Sequence, residues 1–387
     1  MKFAVLANNE ASFVRPLSQG LAAMIGRVGH EAEVFLDGHD AIYNPKPELR
    51  FAERLKLGAR RLIGSTANDP YARFMKFAER LKAFDVIVVV GHLPLTLAAK
   101  HFRGIELLRE MMPSKVIVNY DLCSWQVTLR WLRTVKTEPR YGGSRGFSRY
   151  DWYWTCSCVG DVPVLPALSF PESRIGMDVR TPLLYPEQNG EFRVLVDFDR
   201  PNYPQARHLQ IQALEELKMP YTTLKGNYPQ EELRALMRKH SALMLSHLES
   251  FGLPIIEMEL CGGTIFMPDV RWAPSHYLKP NTEPGTGPLG SNFKVYEDNV
   301  ESLKSALLGT RENFSAERNL RAFQQEYPHL YSGDEAALKA SIDAIASGQI
   351  NSKSHQGYAH LDEALLASDP NPKKAFTTND YQGHNRG

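Results

Sequence analysis

The chain has 387 residues, 43% of them hydrophobic and 23% charged, too long for one hydrophobic core and too apolar for a disordered or fibrous polymer, so two globular domains are expected. Its net charge of +1 conceals an asymmetry: residues 1–180 carry 25 Lys and Arg against 18 Asp and Glu, a net of +7 that leaves −6 for the rest. A basic first half facing an anionic surface or substrate is the implication.

"MKFAVLANNE" has no signal-peptide core and reads as a first strand, over residues 2–7. An apolar-periodic helix and the strand "EAEVFL" follow, which makes a βαβ unit and implies a parallel sheet. "DVIVVVG" (85–91) is a continuous apolar run of the kind buried on both faces, with His92 directly after it. "KVIVNY" (115–120), "WYWTCS" (152–157) and "VPVLPA" (162–167) are further strands. Residues 43–82 hold ten basic and four acidic side chains. They read either as an amphipathic helix packed on its own domain or as one lying on an anionic membrane.

Turn formers in "TPLLYPEQNGE" (181–191) mark a linker, which divides the chain into a domain over 1–180 and a second over 192–348. The second alternates again: strand "FRVLVDF", a helix, strand "YTTLKG", helix "PQEELRALMRKH", strands "ALMLSH", "TIFMPD" and "FKVYED", and a last amphipathic helix over 334–348. Residues 349–387 are polar and aperiodic, and are expected to be a mostly mobile tail. No stretch approaches the length of a membrane span. Cys123, Cys156, Cys158 and Cys261 are scattered, and "TCSCVG" lacks a second cluster at zinc spacing. Together these features read as a reduced, cytoplasmic protein of α/β class with two parallel-sheet domains, whose ligands bind at the carboxyl ends of strands and between the domains.

One stretch carries chemistry: "LESFGLPIIEMELCGG" (248–263). Pro254 suits the first position of a helix, and Gly262 and Gly263 stop it. The helix start, with free N–H groups and partial positive charge, suits a diphosphate. Gly252 permits close backbone approach, and Glu249 and Glu257 can accept hydrogen bonds from ligand hydroxyls. The plain alternative for Glu257 is a solvated helix residue.

This segment resembles the E-x7-E motif of retaining, GT-B-fold nucleotide-sugar glycosyltransferases, which commonly reads E-G-F-G-L-P-x-x-E-A-M-A-C-G-x-P-V. Ser250 stands for the first Gly, and Gly263-Thr264 for Gly-x-Pro. "GNYPQEELRALMRKHSALML", "DVIVVVGHLPLTLAAK" and "RIGMDV" (174–179) extend the likeness over residues 1–345. It implies two Rossmann-like domains facing across a cleft, with Glu249 contacting the donor sugar, Glu257 the nucleotide ribose, and the backbone of Phe251, Gly252 and Leu253 lining the sugar and phosphate pocket. It also implies diphosphate-binding cations just after the strand that opens the second domain. Arg200 and Arg207 stand there, with Lys225, next to Gly226, as a substitute; yet Asp199 replaces the usual Gly, and Arg207 reads equally as a helix surface charge.

His92 is placed by the likeness near the reacting centre, and reads otherwise as a helix-capping or packed histidine. Asn9, Glu10 and Arg15, where relatives carry a glycine pair, are acceptor-side candidates. "DFD" (197–199) matches a metal-binding D-x-D by three letters only, so no metal or other cofactor is expected. The implied activity is transfer of a hexose-type sugar to a glycan or lipid-linked acceptor in surface polysaccharide or glycoconjugate synthesis, without nucleic acid, in the cytoplasm and peripherally at the inner membrane face. Two alternatives stay open: an epimerase or phosphorylase on the same fold, and a non-catalytic sugar-binding scaffold.

Overall fold

The computed structural model describes residues 1–7, 14–38, 70–91, 103–123, 149–157, 170–187, 190–199, 204–226, 228–247, 249, 251–277 and 288–361. The chain divides into two compact units: Met1–Ser157 with Val164–Ile175 and Glu335–Gly387, and Cys158–Pro163 with Gly176–Asp334. His92, Asn9, Glu10, Arg200, the strand expected over 162–167 and most of the basic run over 43–69 lie outside the described residues.

The first unit contains β1 (Lys2–Leu6), α1 (Val14–Arg27), β2 (Glu31–Phe35), α2 (Pro70–Leu81), β3 (Val86–Val90), α3 (Arg103–Met111), β4 (Val116–Cys123), β5 (Trp152–Ser157) and β6 (Glu172–Arg174). The strands form one sheet in the order β2-β1-β3-β4-β5-β6, and every pairing is parallel. Each residue of β3 is buried, because helices cover both faces. On one face Ala4, Leu6, Ile87, Val89 and Ile117 pack with Phe74, Phe77 and Leu81 of α2 and Ile105 and Leu108 of α3. The apolar side of α2 is therefore core, which settles the packed reading for this part of the basic region.

The second unit contains β7 (Val194–Val196), α4 (Pro204–Glu216), β8 (Tyr221–Thr223), α5 (Gln230–Lys239), β9 (Ala242–Met244), α6 (Leu253–Leu260), β10 (Thr264–Met267), β11 (Phe293–Val295), α7 (Val300–Glu312), α8 (Ala316–Glu326) and α9 (Pro328–Tyr331). Its sheet, also wholly parallel, runs β11-β10-β9-β7-β8. Val194, Val196, Met244 and Phe266 pack with Ala213 and Leu214 of α4 and Leu303 and Leu307 of α7. The opposite face meets α6, which touches β9 and β10. Caps set the helix starts: Asn299 accepts from the Ser302 N–H at 2.8 Å before α7, and Ser315 from the Arg318 N–H at 3.3 Å before α8. Both units are thus Rossmann-like parallel α/β layers, as expected.

The chain then returns. The last amphipathic helix, α10 (Glu335–Ala346), belongs to the first unit and not to the second. The buried Trp154 indole N–H donates to Ser341 Oγ at 2.7 Å and fastens it. Residues 349–361, placed by composition in a mobile tail, pack there too. The Asp151 carboxylate, fully buried, accepts from Arg109 at 3.1 Å on both oxygens, from the Ile117 N–H at 2.8 Å and from His355 at 2.7 Å. Tyr358 donates to the Asp151 carbonyl at 2.8 Å, and Leu361 joins the core. Polar composition concealed this segment because its anchors are hydrogen bonds to one buried acid. Residues 181–187, read as a linker, pack on α5 through Arg238, which bonds Glu187 at 2.8 Å and stacks on Tyr185.

Candidate functional site

The carboxyl edge of the second sheet gathers the groups of interest. In the order β8, β7, β9, the strand ends lead to Lys225, to Asp197 and to His247 with Glu249. His247 stands between two carboxylates: Nδ1 lies 2.7 Å from Asp197 Oδ2 and Nε2 lies 3.5 Å from Glu249 Oε2. The first contact is short, yet the ring N–H points off the line to the oxygen, so both atoms lack a well-aligned hydrogen bond. Asp197 Oδ1 accepts from the Phe198 N–H at 2.7 Å. Burial by itself lowers the basicity of His247, but the bonds and charges of Asp197 and Glu249 outweigh it and raise its pKa to about 9. The imidazole is therefore a cation at neutral pH.

A buried polar shell holds this loop from behind. Gln210 of α4 donates to the Leu245 carbonyl at 2.7 Å and accepts from Ser246 Oγ at 2.8 Å. The Glu249 N–H donates to the Trp272 carbonyl at 3.2 Å. Asp197 and His247 were not singled out as site residues by sequence reasoning, although "DFD" and "LSHLE" put both at strand ends. Phe198 and Tyr228, in T-shaped contact at 6.0 Å on the same edge, were likewise passed over.

The helix α6 starts as its sequence predicts. Gly252 sits at φ 86°, a conformation that favours glycine, and Pro254 occupies the first turn with no side-chain cap. At the other end the Gly262 and Gly263 N–H groups bond back to Glu259 and Met258, and a Cβ at Gly262 would lie 2.4 Å from the Ala316 carbonyl oxygen. Leu253 and Pro254 remain half-buried.

Three expected site residues also have contacts within the protein. A Cβ on Gly252 would lie 3.2 Å from Pro274 and from Tyr277, so protein packs against one side of this glycine. The Phe251 side chain is buried against the His276 ring, centroids 4.7 Å apart, whereas its expected role rests on its backbone. Arg207 is buried and donates to the carbonyls of Asp197 and Leu224. It ties the ends of β7 and β8 together through two backbone carbonyls and is not a surface charge.

Glu257 is also buried, and Oε1 takes both bonds from Arg234 of α5, at 2.9 and 2.6 Å, leaving Oε2 for another donor. Burial raises its pKa despite Arg234. Lys225 and Gly226 are exposed at the end of β8, and Arg15 is exposed on the first turn of α1. Asp178 closes the turn before the linker by pairing with Arg180 at 2.7 Å. Cys156 is a buried thiol whose pKa burial pushes well up. Among the described residues no cluster of three or more His, Cys, Asp or Glu could hold a metal, and no helix is long and apolar enough to cross a membrane.

No family model and no curated protein matches the chain. Solved structures do. A Listeria monocytogenes protein assigned as a UDP-N-acetylglucosamine 2-epimerase is 13% identical at a TM-score of 0.49, over 90% of this chain and 96% of that one. The UDP-GlcNAc 2-epimerase of Neisseria meningitidis, bound to UDP-GlcNAc, is 11% identical at 0.47, over 90% and 100%. MurG of Acinetobacter baumannii is 10% identical at 0.39, over 89% and 99%. At such scores, function is read from this chain's own residues.

Proposed function

We propose that the protein is a GT-B-type retaining glycosyltransferase that moves a hexose-type sugar from a nucleotide-sugar donor to a glycan or lipid-linked acceptor. The observation that carries this reading is the Asp197–His247–Glu249 cluster on the same sheet edge as an uncapped, proline-started helix. The helix start offers its first N–H groups and positive end to the leaving diphosphate, aided by Lys225 and by Arg200 in place of a metal. His247, as imidazolium, keeps Glu249 ionised and turned toward it. Glu249 then supports the positive charge that grows at the anomeric carbon as the bond to phosphate breaks. No residue is assigned as covalent nucleophile; the acceptor hydroxyl attacks the same face and passes its proton to the departing phosphate. Glu257 Oε2 would accept from the ribose hydroxyls, and the Phe198–Tyr228 pair offers an aromatic surface to the base. Acceptor contacts are assigned to Asn9, Glu10 and Arg15, a role near the reacting centre to His92, and contact with an anionic membrane to residues 43–69.

Thermal shift with UDP-, GDP-, dTDP- and ADP-sugars identifies the donor, since a ligand at 100 times its Kd stabilises the native state by about 2.7 kcal/mol. Release of nucleoside diphosphate from that donor should then fall about 10²- to 10³-fold in Glu249→Ala, with the circular dichroism spectrum unchanged. Undiminished release by the variant defeats the assignment. A nucleotide-sugar epimerase is the second reading, favoured by the same carboxylate–imidazole pair, which can take and return a proton. Proton NMR of the donor incubated alone separates the two, because only an epimerase generates a second sugar without an acceptor.

A further inference from the structure

The second sheet carries a concavity at its amino-terminal edge, opposite the strand-end cluster. It has a volume of about 500 Å³, within the range of small-molecule sites. It opens between the α7–α8 hairpin and the beginnings of β10 and β11. Thr264, Asn292 and Asn319, all buried, line it together with Lys294, Thr310 and Arg318.

The hydrogen bonds of its lining show what it lacks. Asn319 Nδ2 donates to the Gly262 carbonyl and to Thr264 Oγ1, both at 3.1 Å. Asn292 Nδ2 donates to Glu259 Oε1 at 3.3 Å and to the Asn319 carbonyl at 2.9 Å. Both amide nitrogens are thus spent on the protein, while neither side-chain carbonyl oxygen accepts a bond. Lys294 Nζ meets only the Ser291 carbonyl, at 3.0 Å, and Arg318 only the Asn313 carbonyl. Neither cation has a carboxylate partner, and no Asp or Glu lines the cavity. Two amide acceptors call for hydroxyl donors, and two unneutralised cations call for an anion. A bare anion answers only the second need and a neutral sugar only the first.

We propose that this cavity binds a small anionic polyol of the sugar-phosphate class, at a site separate from the strand-end cluster. The inference stands apart from the transfer reaction proposed above. The phosphate pairs with Lys294 and Arg318, and the hydroxyls donate to Asn292 and Asn319.

The test is calorimetric titration of the full chain with glucose 6-phosphate, glucose and inorganic phosphate, repeated on Lys294→Glu and Thr310→Trp. The sugar phosphate should bind at least about tenfold more tightly than either simpler probe. Each substitution should weaken it at least about tenfold with the melting temperature unchanged, whereas Glu249→Ala should leave it intact. Four results would each overturn the proposal. They are no binding of glucose 6-phosphate up to about 10 mM, equal affinity for phosphate alone, indifference to both cavity substitutions, and displacement by nucleoside diphosphate.

Discussion

Asp151 in the first unit and Asp197 in the second are both buried, and each lies 2.7 Å from a histidine nitrogen. Their circumstances are otherwise opposite. Both oxygens of Asp151 are met by donors: Arg109, His355 and a backbone N–H. Asp197 Oδ2 meets its histidine off the hydrogen-bond line, and that histidine must also serve Glu249. A buried charge with every lone pair engaged fastens chain segments; one held close but misaligned keeps interaction energy in reserve for a ligand. The comparison teaches that the completeness of bonding, more than burial, separates the architectural acid from the one proposed to act at the site.

The largest effect should come from the architectural side. Asp151→Ala strands Arg109 in a half-buried position and should cost about 3–5 kcal/mol, read as a lower urea midpoint, while the folded fraction still binds donor nucleotide. Loss of nucleotide binding in that fraction would break the contrast. On the working side, the histidine supplies a pH signature. The folded pKa of His247, about 9, lies above its ordinary value of 6.5, so its stabilisation is complete below pH 6.5 and disappears as pH rises through about 9. The amount is on the order of 3 kcal/mol. Denaturation midpoints between pH 6 and 10 should decline in the wild type, and His247→Gln should flatten that decline.

A second pH signature belongs to Glu259, fully buried in α6 with Oε1 bonded to Asn292 and Oε2 to nothing. Burial raises its pKa well above the usual carboxylate value. An acid so shifted destabilises the fold progressively as pH rises above about 4.5. Glu259→Gln should remove that slope between pH 5 and 8, a decline of the same sign as the His247 signature but beginning at lower pH, and a persisting slope would assign it elsewhere.

The two parallel sheets were legible in the sequence because their strands are short apolar runs between amphipathic helices, as in "DVIVVVG" and "TIFMPD". The start and stop of α6 were legible because proline and glycine impose backbone geometry regardless of context. Arg207 was not. Its role as a clamp on two carbonyls depends on β7 and β8 lying side by side, which no local pattern encodes. Asp197 and Asp151 were hidden for the same reason, since their partners lie 50, 42 and 204 residues away. The helix α8 was not named from the sequence although it is amphipathic, burying Ala316, Asn319 and Phe323 on one face.

The return of α10 and residues 349–361 to the first unit bears on how the polypeptide is made. The slots for Trp154's partner and for the Asp151 fastening stay empty until the ribosome has translated the whole of Gly176–Asp334. The later-encoded layer, almost continuous in sequence, can therefore close before the earlier one, reversing the usual amino-to-carboxyl order of domain completion.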